Sequence, residues 1–139
     1  MRIAIIDESA ARAAVIAEGL VASGLNDITV LIERQGLVAR LQDLAPDVVL
    51  IDLANPRRDE LEELFAVSRA ISRPIAMFVD RADDSSIEAA IDAGVSAYVV
   101  DGMKPDRIRS VLDVAIKRFN AFARLRAELD DARGQLAER

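Results

Sequence analysis

The 139-residue chain has the size of one domain, with room for an appendage, and 52% of its residues are hydrophobic, enough for a sizeable core. It holds neither cysteine nor histidine, which excludes disulfides, thiolate and imidazole metal sites, Ser/His/Asp triads and phosphohistidine chemistry. Its net charge of −6 is uneven: residues 1–105 carry 10 basic and 18 acidic side chains and residues 106–139 carry 8 and 6, so an acidic body argues against nucleic-acid binding by the globular part. Met1-Arg2 leads straight into a first strand, Ile3–Ile6, leaving no room for a secretory leader, and a cytoplasmic protein is expected. Ser9 is a predicted N-cap for a helix from Ala10 to about Ser23, with Val15, Ile16 and Leu20 on its inner side and Gly24 as its stop. A second strand over Ile28–Ile32 and a short helix over Gln35–Leu44 follow, the latter ended by Ala45-Pro46. The third strand, Val48–Ile51, is an unbroken apolar run that ends abruptly in Asp52. Asp59 with Glu62 resembles a capping box opening a helix that carries Leu61, Leu64, Phe65 and Val67, and Arg73-Pro74 breaks it. Ile75–Val79 is the fourth strand. Ser85 with Glu88 repeats the capping signature before a helix over Ile87–Ala93, closed by Gly94. Ala97–Val100 is the fifth strand, and Pro105-Asp106 starts a helix that runs to the end of the chain.

Strict alternation of strands and helices with short connections predicts a doubly wound parallel sheet, covered on both faces. Five strands with right-handed crossovers suit the flavodoxin-like order 2-1-3-4-5. In that order the first and third strands are neighbours at the topological switch point, where such sheets place their chemistry. Asp7-Glu8 after strand one and Asp52 after strand three are therefore expected to form one acidic pocket. No Gly-rich phosphate loop is present, and no apolar run reaches the ~18 residues of a membrane span.

These residues resemble a response-regulator receiver (CheY-like) domain over about residues 1–118. The resemblance rests on Asp7-Glu8, on Asp52 at the phospho-acceptor position, on Pro56 four residues later, and on Arg73-Pro74, Gly94 and Tyr98-Val99-Val100. It implies Mg²⁺ on Glu8, Asp52 and the Ala54 carbonyl, with Asp7 holding a coordinated water and Asp52 accepting a phosphoryl group. A hard divalent cation would relieve the repulsion among three carboxylates and offset phosphoryl charge. Three positions depart from the pattern. Val79 stands where a Ser/Thr hydroxyl would follow the phosphoryl group, Asp101 stands where a lysine is expected, and Glu8 replaces the commoner second Asp. Tyr98 is read as a half-buried strand aromatic rather than a switch, so Val79, Tyr98 and Asp101 make up a degenerate switch.

Phe65-Ala66-Val67-Ser68-Arg69, Arg73 to Asp80 and Ala93 to Gly102 closely resemble the receiver of ANTAR transcription antiterminators (AmiR/NasT-like), nearest to the nitrate-responsive NasT-like branch. Arg118-Phe119-Asn120-Ala121-Phe122 and Leu136-Ala137-Glu138-Arg139 fit the helix that links such a receiver to its RNA-binding module. The resemblance implies a receiver (or pseudo-receiver) over 1–118, a coiled-coil linker over 119–139, a truncation before the ANTAR output domain, and control by a partner sensor protein. RNA would be contacted only through that missing output domain.

From Ile108 the apolar residues fall at Leu112, Ala115, Phe119 and Phe122, spacings of a heptad seam. Beyond Phe122 the seam continues either through Arg126, Leu129, Arg133 and Leu136, or through Leu125, Leu129, Ala132 and Leu136 after a three-residue step. A parallel homodimer through this helix is expected, with Leu112, Ala115, Phe119, Phe122, Leu129 and Leu136 in its seam and Lys117, Arg118, Arg124 and Arg126 on the solvated face rather than in an RNA patch. The function expected is a signalling module, not an enzyme, with little or no phosphorylation. The alternative is a conventional receiver phosphorylated on Asp52 with Mg²⁺. An aspartyl-phosphate hydrolase is disfavoured because Ala54 stands where its general acid/base would be.

Overall fold

The computed structural model describes residues 1–53, 57–80, 84–100 and 104–137. Strands β1 (Arg2–Ile6), β2 (Asp27–Leu31), β3 (Val48–Leu53), β4 (Ile75–Val79) and β5 (Ala97–Val100) alternate with helices α1 (Ala10–Ala22), α2 (Leu37–Leu44), α3 (Arg58–Ala70) and α4 (Asp84–Asp92). A 3₁₀ turn, Pro105–Arg107, leads into α5 (Ile108–Ala137). The strands form one parallel sheet in the order β2-β1-β3-β4-β5, the flavodoxin-like order expected.

Strand parity divides the core. Ile3 and Ile5, Val48 and Leu50, Ala76 and Phe78 face α1 and α5, where they pack on Ala13, Ile16, Leu20, Ile108, Leu112 and Ala115. Ala4 and Ile6, Val49 and Ile51, Met77 and Val79 face the other way, against α2, α3 and α4. Because β3 is buried on both faces, it reads as a continuous apolar run with no alternation.

Several local expectations shift. The inner face of α1 is Ala13, Ile16 and Leu20, while Val15 is 51% exposed. A small residue lies where helix and sheet approach each other, and hydrophobicity alone favoured its neighbour. Helix α2 starts at Leu37 and not at Gln35, because Gly36 takes a left-handed φ of 67° that helix geometry forbids. The Asp59/Glu62 box does not form: α3 begins at Arg58, with Arg57 as N-cap, so Asp59 already lies in the first turn, where its charge suits the helix dipole. Likewise α4 begins at Asp84, which puts Ser85 inside the first turn rather than at the cap. Ser9 does cap α1, its side chain accepting from the Arg12 N–H.

The largest correction concerns α5. Ile108, Leu112 and Ala115 are 0–1% exposed in the core of their own body, so Leu112 and Ala115 are not seam residues of a dimer. Phe119 is half-buried, and beyond it Phe122, Leu125 and Leu129 are 50–66% exposed. The heptad spacing serves two surfaces in turn: the sheet first, solvent afterwards. Helix α5 is 30 residues long. At 1.5 Å per residue its part beyond Phe119 projects by ~28 Å.

Candidate functional site: the acidic crevice at the switch point

Asp7 and Asp52 meet at the carboxyl ends of β1 and β3, both buried at 4% and 2% exposure. Parity explains the meeting. Asp7 continues the face of Ile3 and Ile5, and Asp52 that of Val48 and Leu50, so both point toward α1. Asp80 follows Ala76 and Phe78 with the same parity but is about half exposed.

A cation that sequence reasoning missed lies among them. Arg12, in the first turn of α1, places Nε 2.9 Å from Asp52 Oδ2 and donates from Nη2 to Asp52 Oδ1 at 3.0 Å. The same Nη2 is 3.9 Å from Asp80 Oδ1. The local backbone that carries this side chain is itself pinned to the crevice. Asp7 Oδ1 accepts from the Ser9 N–H at 2.9 Å, and Ser9 Oγ accepts from the Arg12 N–H at 3.2 Å. One carboxylate thus positions the cap and the cap positions the arginine. The arginine in turn holds the second carboxylate.

The charge balance is tight. Burial pushes the Asp52 carboxyl up, its hydrogen bond with Asp7 and the Asp7 charge push it further, and Arg12 pulls it back; the outcome is a rise from 3.8 to about 7. Asp7 Oδ2 and Asp52 Oδ2 are both buried oxygens without a hydrogen-bond donor.

Glu8 has the opposite parity and leaves the crevice. Its carboxylate pairs with Arg34, on the loop between β2 and α2, and is itself 60% exposed. Arg34 also reaches Glu60 Oε2 at 3.0 Å and Glu63 Oε2 at 3.5 Å on α3, and Arg57 Nε holds the other Glu60 oxygen at 3.0 Å. The expected three-acid pocket is therefore a pair, Asp7 with Asp52, and Glu8 belongs to a separate ion network on the α3 side. The donor set implied for Mg²⁺ does not fit this arrangement. Glu8 is turned to Arg34, Asp52 is held by Arg12, and Ala54 lies outside the described residues, as do Pro56 and Asp101. Among the described residues no group of three His, Cys, Asp or Glu side chains is arranged to hold a metal ion.

Val79 is fully buried at the end of β4, opposite Leu53 and Val100, and offers no hydroxyl to the crevice. Tyr98 is half-buried against the α2–α4 side of the core. The Leu136 side chain lies outside the described residues. Lys117, Arg118, Arg124 and Arg126 are exposed. Among the described residues no helix is long and apolar enough to cross a membrane.

The same architecture recurs in solved structures. A response regulator from Thermotoga maritima superposes with a TM-score of 0.69 at 20% identity, covering 84% of this chain and 97% of the other. A response regulator protein from Burkholderia multivorans does so with a TM-score of 0.62 at 28% identity, covering 81% and 91%. The chain has the fold of a response-regulator receiver domain. Curated relatives agree. The transcriptional regulatory protein PdtaR of Mycobacterium tuberculosis is 27% identical over 84 residues, 60% of this chain and 41% of that protein. The transcriptional regulatory protein KdpE of the same organism is 31% identical over 80 residues, 58% and 35%. The match thus spans about two fifths or less of the length of either relative. No protein-family model matches the chain.

Proposed function

We propose that this receiver acts as a signalling module rather than an enzyme, its output set by partner docking and by pairing of its α5 tails, with phosphoryl transfer to Asp52 contributing little or nothing. On this reading it belongs to a cytoplasmic antitermination regulator of the ANTAR type, in the NasT-like branch. A regulatory sensor protein docks on it, nitrate-responsive by resemblance, and RNA is contacted only through an output module.

The observation that carries the reading is the division of α5. Its first turns are core, so the helix is rigidly continuous with the body, and its distal stripe of Phe122, Leu125 and Leu129 is bare. A second copy of the same stripe covers it with least new chemistry. Only about two and a half heptads lie beyond Phe119 at 3.5 residues per turn, so the pairing is a concentration-dependent equilibrium and not a permanent dimer. A shallow groove of about 460 Å³ between β5 and α5, lined by Tyr98, Val99, Val111, Val114 and Arg118, offers a docking surface on the body.

The second reading is a conventional receiver, favoured by the place of Asp52 at the end of β3 beside Asp7. Incubation with a small-molecule phosphodonor and Mg²⁺, followed by intact mass measurement, separates the two. The expected result is an unchanged mass. A stable phosphate adduct that disappears in Asp52→Asn establishes the second reading instead.

A further inference from the structure

The geometry points to Arg12 as the resident cation of the acidic crevice: it occupies the place at Asp52 where the receiver fold would set a divalent metal ion, and it closes that place to metals until it is moved. The inference rests on reading the Asp7/Asp52 crevice as a receiver pocket, and on nothing about dimerisation.

Three observations lead to it. First, the contact is two-pronged, Nε at 2.9 Å and Nη2 at 3.0 Å onto the two oxygens of a carboxylate that is itself 2% exposed. A planar guanidinium lies against a carboxylate in this way: Nη2 donates a hydrogen bond to Oδ1, while Nε beside Oδ2 is a charge contact and not a hydrogen bond. Second, the position is built. Arg12 stands in the first turn of α1, where the helix dipole disfavours a cation, and the Asp7–Ser9–Arg12 hydrogen bonds hold it there. The two hydrogen bonds fix the backbone from which the side chain reaches Asp52. Third, the remaining acid that a metal would use is already spent: Glu8 is paired to Arg34, which is tied to Glu60 and Glu63. Two arginines thus take the two acids that Mg²⁺ would use, while Asp7 Oδ2 and Asp52 Oδ2 stay buried without a hydrogen-bond donor, the latter in charge contact with Arg12.

The consequence is specific. A metal ion entering the wild-type crevice must displace a guanidinium that, being part of the chain, pays no translational entropy to bind. Removing the guanidinium leaves two buried carboxyls with uncovered oxygens, a site for a hard divalent cation. Arg12 is a positioning residue for that latent site.

The test is a Mn²⁺ titration followed by electron paramagnetic resonance, on the full chain as wild type, Arg12→Gln, Arg12→Lys and the double variant Arg12→Gln/Asp52→Asn. Arg12→Gln should bind Mn²⁺ at least ~10-fold more tightly than wild type, and the double variant should lose that gain. Arg12→Lys keeps the charge but loses the two-pronged grip, and should fall between them. Wild type saturating as tightly as a folded Arg12→Gln overturns the inference, as does a gain that survives Asp52→Asn. Should Arg12→Gln lack a folded amide spectrum, Arg12→Lys decides: no tightening over wild type overturns the inference. Tight metal binding by wild type without a phosphoryl adduct would remove this inference and leave the proposed function standing.

Discussion

The acidic crevice and the distal half of α5 carry opposite kinds of problem and meet them in opposite ways. In the crevice, buried like charges repel; Arg12 answers from within the same chain, and the site is closed on itself. On α5, an apolar stripe of Phe122, Leu125 and Leu129 is covered by nothing among the described residues. A closed site is poor at receiving an input, whereas an uncovered stripe is ready to make a contact. On the proposed function, responsiveness belongs to the tail and the docking groove, and structural steadiness to the crevice.

The comparison breaks first if the two halves of α5 are not distinct. Leu112→Ala removes a side chain that is 1% exposed and should cost about 2–5 kcal/mol of stability, read from urea unfolding. Phe122→Glu should leave the body's unfolding midpoint almost unmoved, since that side chain touches little of the body, while light scattering shows the associated species lost. Equal destabilisation by both would mean that the tail also packs on its own body.

A smaller effect sharpens the crevice side. Replacing Arg12 by Leu leaves Asp52 buried without its cation and should destabilise by about 1–3 kcal/mol at neutral pH, again by urea unfolding, with part of the loss softened by the exposure of the arginine. The pH dependence tests the same balance from the other side. The Asp52 carboxyl is raised from 3.8 to about 7 by burial and by Asp7, with Arg12 opposing and Asp80 at the margin. Between those values the folded chain holds a proton that the unfolded chain has released, so stability should fall as pH rises from about 4 to 7. Asp52→Asn should flatten that slope. A slope of the opposite sign would show that Arg12 outweighs burial and Asp7.

Much of this was legible in the residues. Continuous apolar runs in β1 and β3, each ending in acid, located the switch point and the two carboxyls that meet there, because a parallel strand buried on both faces leaves little freedom in where its end falls. Glu8 was misplaced for want of one step: alternation sends consecutive side chains to opposite faces, so Asp7 and Glu8 cannot both join Asp52 without a bend. Arg12 escaped notice because helical periodicity ranks the apolar face and is silent on a charged residue in the first turn. Its signal was there in Ser9, whose cap pins the backbone of the residue three positions later beside the strand ends. In α5 the heptad was real but ambiguous, since Leu112 and Ala115 have the same spacing whether a sheet or a second helix covers them. Periodicity marks an apolar face and leaves its partner unnamed.

The most direct measurement of the account is sedimentation equilibrium of the wild-type chain, with and without Mg²⁺ and beryllofluoride as the phosphoryl mimic. The account predicts one monomer–dimer equilibrium, unchanged by the mimic and abolished by Phe122→Glu. A dimer that forms only when Mg²⁺ and beryllofluoride are present, and fails in Asp52→Asn, would contradict it.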